Sequence, residues 1–159
     1  MPAFDISIPV RITPGTKSLD RQAELPPDGL TLNFGMHGDV ADHYGAKAVN
    51  PLPTTLDYLT GSIAGCLIGT FTGSMLRAKI PVTPDKVTGT AVGSVVPDDD
   101  NVLRLRKVTV NYRIELDEEY REAAEEVHAV HAGRCPNARS VSPSIEIETN
   151  LELLQPAAA

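Results

Sequence analysis

The chain has 159 residues, of which 42% are hydrophobic, and this is enough to form one substantial core. We therefore expect a single domain over residues 1–159, with a frayed tail at residues 154–159. Acidic residues outnumber basic ones 21 to 14, so the formal net charge is −7 and the surface should repel nucleic-acid phosphates. The N-terminal residues show no secretory signal pattern and only two cysteines are present, so a reducing cytoplasm is the expected compartment.

Two segments of the first half alternate apolar with polar side chains, and this pattern predicts half-buried strands at residues 4–8 and 30–34. Turn sequences lie between them, at Thr13-Pro14-Gly15 and over residues 25–29. The polar, glycine-containing stretch from residue 34 to residue 53 predicts a loop.

The most informative segment is a predicted helix over residues 55–79, with Thr54 or Thr55 as its cap, Asp57 in its first turn and Pro81 after its end. No charged residue occurs from residue 58 to residue 76, so we expect burial nearly all round. A glycine occupies every fourth position, at Gly61, Gly65, Gly69 and Gly73. Each glycine costs about 1 kcal/mol of helix propensity relative to alanine, so we expect another backbone to pack closely on this stripe.

The same uncharged, small-residue segment could cross a membrane and dimerise there. Its glycines, serines and threonines lower its hydrophobicity, however, and no basic flank or aromatic belt frames it. A central helix of a soluble domain is therefore favoured, and no membrane is expected.

The second half predicts two strands, a helix and a last strand. The strands are expected at residues 86–96 and 102–116, joined by the turn Asp98-Asp99-Asp100-Asn101, with a β-bulge near Arg106-Lys107 where the apolar parity shifts. An amphipathic helix is predicted over residues 117–131, capped by Asp117 and ended by Gly133. Residues 144–153 alternate as a strand, so the fold class is α+β.

The cysteines allow two interpretations from the residues alone. Cys66 lies in the middle of the central helix among small, mildly polar neighbours, and Cys135 lies just past a helix end, before Pro136. Both can be inert packing residues, since free cysteine is among the most buried residue types. Alternatively the fold brings them together as an attacking and a resolving thiol. A metal is not expected, because no Cys/His cluster with ligand spacing surrounds them.

The four histidines also leave alternatives open. His37 and His43 precede the central helix, and they are either solvated loop residues or a proton donor or substrate contact. His128 and His131 have the i, i+3 spacing that permits joint metal binding, but no third ligand is evident. His131 is more simply explained as a residue that caps carbonyls at the helix end.

The order of these features resembles the OsmC/Ohr family, the osmotically inducible protein C and organic hydroperoxide resistance proteins. The features are a small-residue helix with the first cysteine, a strand pair, an acidic helix, a Cys-Pro after its end, and an alternating strand. The closest local match is His-Ala-Gly-Arg-Cys-Pro-Asn-Ala at residues 131–138, leading into Ile-Glu-Ile-Glu at residues 145–148. Asn50-Pro51 resembles the family's lead-in to the central helix, and the resemblance covers about residues 30–153.

The resemblance implies an OsmC-like fold, in which antiparallel sheets wrap around a long buried central helix. It also implies an intertwined homodimer with two active sites at the interface. In such sites Cys66 would attack the O–O bond of an organic hydroperoxide, and Cys135 would condense with the resulting sulfenic acid to a disulfide. A dithiol reductant, in some family members a lipoylated protein, would restore the thiols without a metal or organic cofactor.

The family usually stabilises the attacking thiolate with an arginine that is held by a glutamate at the start of the central helix. This chain has Leu56 ten residues before Cys66, where that acid is expected, and the adjacent Asp57 is the substitute. Arg21 is the candidate cation, with Arg11 behind it. This departure leaves a second possibility open, an OsmC-fold protein without peroxidase activity that binds an apolar ligand or catalyses another step at the dimer-interface pocket.

Overall fold

A computed structural model of the chain describes residues 6–14, 20–46 and 51–156. The chain divides into two compact units, Met1–Tyr58 and Leu59–Ala159. Among the described residues, each unit contains one three-stranded sheet.

The first unit is an antiparallel meander followed by a short helix. Its elements are β1 (Arg11–Pro14), β2 (Arg21–Leu25), β3 (Leu30–Phe34) and α1 (Gly38–His43). The strand predicted at residues 30–34 is confirmed, and so is the turn before it, where Gly29 has a φ of 72° that glycine adopts without strain.

Three other predictions for this unit are wrong. Residues 6–8 form no strand, while residues 4 and 5 lie outside the described part of the chain. Thr13 and Pro14 belong to β1 and not to a turn; β1 is an edge strand, where proline's missing N–H is tolerated. The predicted loop contains α1, whose six residues are too few to show helical periodicity.

The second unit contains a mixed sheet. Its strands are β4 (Val87–Pro97), β5 (Leu103–Glu115) and β6 (Glu146–Leu154), in the order β4-β5-β6. β4 and β5 are antiparallel, but β6 runs parallel to β5, so the expectation of wholly antiparallel sheets is wrong. The connection from β5 to β6 is a long helical crossover, which allows β6 to run in the same direction as β5.

The predicted β-bulge is confirmed at Arg106. Ser94 pairs with Lys107 and Val95 pairs with Leu105, so Arg106 is the extra residue on β5. The bulge places Leu105 and Val108 both in the core, 5% and 0% exposed, although they are three residues apart.

The central helix α2 (Thr55–Arg77) confirms the predicted helix, and Thr54 is its cap. Thr54 Oγ1 accepts a hydrogen bond from the Asp57 N–H at 3.1 Å, and Asp57 Oδ2 accepts one from the Thr54 N–H at 2.7 Å. This reciprocal pair is a capping box that uses aspartate in place of glutamate.

One stripe of α2 is buried, and it consists of Ile63, Leu67, Phe71, Ser74 and Met75. The opposite face is not: nothing lies within 4 Å of the Cβ positions that Gly61, Gly65 and Gly69 would have. The expectation of burial nearly all round is therefore wrong for the single chain. By length and composition alone, α2 also qualifies as a membrane span.

Close packing on α2 comes from glycines of β4, not from those of the helix. A Cβ at Gly89 would lie 2.6 Å from Ile68 Cδ1, and one at Gly93 would lie 2.5 Å from Thr60 Oγ1. These two strand glycines therefore let the sheet approach the helix.

The crossover confirms the predicted acidic helix, with α3 at Arg121–His131 preceded by a 3-10 turn at Glu118–Tyr120. Asp117 makes no side-chain cap, so that detail was wrong. After α3 a 3-10 turn at Ala132–Arg134 contains Gly133. The short helix α4 (Pro136–Val141) follows, and no sequence pattern predicted it.

Candidate functional site

Cys66 lies in the middle of α2, on the border between its buried and exposed faces. Its thiol is free and the residue is half-buried. Its neighbours one helical turn away, Ser62 and Thr70, are small and polar.

Cys135 lies between the 3-10 turn and α4, where the chain is extended for one residue with φ −77° and ψ 120°. It is the N-cap of α4, and its sulfur accepts a hydrogen bond from the Ala138 N–H at 3.5 Å. Pro136 follows at the first helical position, where proline's missing N–H costs nothing. The residue is wholly buried, with 0% exposure.

The fold brings the two thiols together, although they are 69 residues apart in the sequence. The Cys66 side chain and the Thr70 hydroxyl both lie close enough to the Cys135 sulfur to shift the pKa of its thiol. Burial raises the pKa of the Cys135 thiol and the contact with Cys66 raises it further, while the Ala138 N–H and the Thr70 hydroxyl act in the opposite direction. Both cysteines are free, so the site holds a reduced thiol pair.

A buried cluster of aromatic and imidazole rings adjoins Cys135. It consists of Phe71, Tyr112, His128 and His131, whose ring centroids lie 5.0–5.7 Å apart. Burial raises the pKa of Tyr112, and the charge of Cys135 raises it further, so this tyrosine lies within electrostatic reach of the thiol. No sequence pattern predicted the cluster, because Tyr112 lies on β5 and meets the rings of α2 and α3 only in the folded chain.

The hydrogen bonds of the cluster fix the tautomer of His131. Its Nδ1 lies 2.6 Å from the His128 carbonyl oxygen, which can only accept, so Nδ1 carries the proton. Its Nε2, 2.9 Å from the Tyr112 hydroxyl, therefore accepts from that hydroxyl. His131 does bond a carbonyl at the end of α3, as expected, but it is 0% exposed, and burial lowers its pKa and so favours the neutral ring.

Burial lowers the pKa of both histidines, and for His128 the electrostatic interaction with the neighbouring His131 lowers it further. The His128 Nε2 atom is buried without a hydrogen-bond partner among the described residues. No group of three metal-ligating side chains occurs in the described part of the chain. The His128–His131 spacing is thus explained by ring packing.

At the start of α2, Asp57 is held by residues other than an arginine. Its Oδ2 atom lies 2.7 Å from the Thr54 Oγ1 atom and 2.8 Å from the His37 Nε2 atom. Burial would raise the pKa of Asp57, but the hydrogen bonds from Thr54 and His37 together lower it below its ordinary value. His37 is therefore an ordered partner of Asp57 and not a freely solvated loop residue.

Arg21 opens β2, where it pairs with Pro14 and Phe34 across the sheet. In the described ranges no ion pair or side-chain hydrogen bond joins Arg21 to Asp57. Arg11, the second candidate cation, forms an exposed ion pair with Glu24 at 3.7 Å.

The fold and the thiol pair define a small α+β protein that carries two interacting free cysteines. The family model described as OsmC-like protein matches residues 47–150, which is well over half of the chain. The chain therefore belongs to the OsmC-like protein family. No curated protein matches it.

Solved structures of OsmC-like proteins share the fold. An OsmC-like protein from Mycoplasma pneumoniae is 18% identical, with a TM-score of 0.71 over 95% of this chain and 99% of that one. One of unknown function from Vibrio cholerae is 15% identical, with a TM-score of 0.75 over 93% and 100%. The organic hydroperoxide resistance protein OhrB of Bacillus subtilis is 17% identical, with a TM-score of 0.64 over 92% and 98%. OsmC-like proteins are soluble, and α2 is accordingly a core helix.

Proposed function

We propose that this protein is a cysteine-based thiol peroxidase for organic hydroperoxides. The observation that carries the proposal is the proximity of Cys66 to Cys135, two free thiols that are distant in the sequence and close in the fold. The name of the Bacillus subtilis relative, an organic hydroperoxide resistance protein, favours this substrate class.

The proposed reaction has three steps. The Cys66 thiolate attacks the terminal oxygen of the hydroperoxide, the O–O bond breaks, and the alkoxide takes a proton and leaves as an alcohol. The Cys135 sulfur then attacks the sulfur of the Cys66 sulfenic acid, and water leaves as the disulfide forms. A dithiol reductant, which can be a lipoylated protein, exchanges with that disulfide and is itself oxidised. The chemistry uses no metal or organic cofactor.

The environments of the two cysteines support this division of roles. Cys66 is half-buried and therefore accessible to a peroxide, whereas Cys135 has 0% exposure and can be reached only from within the protein. Burial raises the pKa of the Cys135 thiol overall, and the Thr70 hydroxyl and the Ala138 N–H partly offset that rise, which favours the thiolate that must attack the sulfenic acid.

A homodimer is the proposed assembly. The glycine face of α2 meets nothing within 4 Å in the single chain, and the neighbouring Leu76 is 58% exposed. A second copy would cover this uncharged surface, which is costly to leave in water. No nucleic acid or membrane partner is proposed, and the cytoplasm is the proposed compartment.

We propose Arg21 as the cation that favours the Cys66 thiolate, with Asp57 as its supporting acid. Arg21→Met should slow the reaction of Cys66 with peroxide, and restoration by Arg21→Lys would indicate that the charge is what matters. An unchanged rate in Arg21→Met would exclude the assignment. Asp57→Asn is the corresponding test of the acid, with helix stability measured alongside because Asp57 also belongs to the capping box.

The decisive experiment measures consumption of cumene hydroperoxide and hydrogen peroxide with dithiothreitol as reductant. The native protein should consume the organic peroxide faster than hydrogen peroxide, and Cys66→Ser should reduce consumption to background. Cys135→Ser should complete a first turnover and then accumulate overoxidised Cys66. The chain has no other cysteine, so thiol loss can be assigned directly. Equal consumption by the native protein and Cys66→Ser would refute the proposal.

One observation favours a second candidate, an OsmC-fold protein without peroxidase activity that binds an apolar ligand or catalyses another step at a dimer-interface pocket. The Asp57 carboxylate is occupied by Thr54 and His37, so the acid proposed to support the arginine already has other partners. Background peroxide consumption by the native protein, together with saturable binding of an apolar fluorescent probe, would favour this candidate.

A further inference from the structure

A pair of hydrogen bonds between Asn137 and Ser62, called the bridge below, connects the segment after Cys135 to α2. The side-chain amide of Asn137 donates from Nδ2 to the Ser62 carbonyl oxygen and to the Ser62 hydroxyl, both at 3.0 Å. Asn137 is two residues after Cys135, and Ser62 is one helical turn before Cys66. The bridge therefore runs beside the thiol contact and joins the same two segments.

The two acceptors on Ser62 make the bridge specific for an amide. An amide nitrogen has two hydrogens, so it can serve both the carbonyl and the hydroxyl oxygen at once. In an α-helix the Ser62 carbonyl also accepts the N–H of Cys66, four residues later. Asn137 thus holds the turn of the helix from which the Cys66 side chain projects.

The bridge matters because the other polar neighbours that α2 offers to this segment, Cys66 and Thr70, lie at the Cys135 sulfur itself. Within the described ranges, no other side-chain hydrogen bond joins α2 to the residues of α4. Cys135 itself is the N-cap of α4, so a shift of α4 carries the sulfur with it. A disulfide requires the sulfurs to approach to about 2.05 Å in a narrow range of dihedral angles, so small displacements of α4 lower the chance of closure.

We propose that Asn137 is a positioning residue that holds Cys135 in register with Cys66 for disulfide closure. This inference rests on the proposed function for its chemistry: the Cys135 thiolate attacks the sulfenic sulfur of Cys66, the S–O bond breaks, and the departing hydroxide is protonated to water. Asn137 touches neither sulfur. Its effect is to raise the effective concentration of one thiol at the other.

The first test does not depend on peroxide. The native protein and its variants are equilibrated with reduced and oxidised glutathione, and the ratio of disulfide to dithiol gives the effective concentration of the thiol pair. Asn137→Ala and Asn137→Leu should lower it about fivefold, the effect of losing roughly one net hydrogen bond. Ser62→Ala should lower it less, because the carbonyl acceptor remains.

Asn150 supplies the matched control. Its side-chain amide also donates two hydrogen bonds, to Asn111 Oδ1 at 2.9 Å and Glu148 Oε1 at 3.2 Å, but it lies on β6. Asn150→Leu should leave the effective concentration unchanged. Thermal unfolding of the reduced proteins identifies any variant that has lost its fold, and the comparison of Asn137→Leu with Asn137→Ala excludes an effect of side-chain volume.

The second test separates the steps of turnover. A single addition of cumene hydroperoxide should form the Cys66 sulfenic acid at the native rate in Asn137→Ala. The disulfide should then form about fivefold more slowly, so that more sulfenic acid is trapped by dimedone. If the native protein does not react with peroxide, the proposed function fails while the glutathione equilibrium still decides the role of Asn137. An effective concentration equal to the native value in both Asn137 variants would overturn the inference.

Discussion

The neutral His131 in the core should make the protein lose stability as the pH falls below neutrality. Its Nε2 accepts a hydrogen bond from Tyr112, so protonation would place a second donor against that hydroxyl and a charge in a site with 0% exposure. Burial lowers the pKa of His131 in the folded chain, whereas the unfolded chain binds a proton near pH ~6.5. The free energy of unfolding is therefore highest above that pH. Below that pH it falls, because the unfolded state binds a proton that the folded state does not bind.

The size of the effect follows from this proton linkage. If a histidine stays neutral in the folded state, the free energy of unfolding falls by about 1.4 kcal/mol between pH 7.5 and pH 5.5. The reason is that each pH unit below the pKa of the unfolded histidine lowers the free energy of unfolding by that amount. The pKa of His128 is lowered in the same direction, by burial and by the electrostatic interaction with His131. Because His128 is only half-buried, it should add a smaller amount.

Urea denaturation at the two pH values measures this loss. His131→Gln should be less stable than the native protein at pH 7.5, by about 1–2 kcal/mol for its disturbed hydrogen bonds, but its stability should fall less on acidification. Tyr112→Phe also loses a hydrogen bond while keeping His131, so it should retain the native pH dependence. An equal fall in the native protein and in His131→Gln would refute the assignment.

Three further outcomes are expected. Gly65→Leu should convert a dimer to monomers in light scattering without unfolding them, because a side chain there meets nothing in the single chain. Gly93→Ala should instead lower the unfolding free energy by about 1–3 kcal/mol in urea titration, because its Cβ would lie 2.5 Å from a helix side-chain oxygen. Thr70→Val should raise the pKa of Cys135, because it removes a hydroxyl that lowers that pKa, and the ultraviolet absorbance of the thiolate, followed against pH in the Cys66→Ser protein, should show the rise.

Much of the second unit could be predicted because its patterns are long and strong. β4 and β5 span eleven and thirteen residues, and the parity shift in β5 located the bulge at Arg106 to within one residue. The first unit was harder, since β2 buries only Ala23 and therefore shows almost no apolar alternation. Elements of four to six residues, such as the strand β1 and the helix α4, are too short for their side-chain periodicity to identify them as strand or helix.

The candidate site was partly predictable for a different reason. The positions of Cys66 and Cys135 were clear from the motif order, but their contact depends on a parallel strand and a crossover that no local pattern specifies. Tyr112 and His131 lie 19 residues apart and meet only in the folded core. The contact of Asp57 with His37, 20 residues before it, was not predicted, because His37 lies in a segment where no element had been predicted.

The position of the two thiols in the chain has a mechanical consequence. A bond between their sulfurs would enclose a loop of about 70 residues that contains β4, β5 and α3, and closing a loop of that size restricts the unfolded chain by about 4 kcal/mol. The balance of peroxide and reductant would then determine the stability of the folded protein as well as its reactivity. The oxidised form would therefore resist proteolysis and thermal unfolding more strongly than the reduced form. Reduction of the disulfide would remove that added stability.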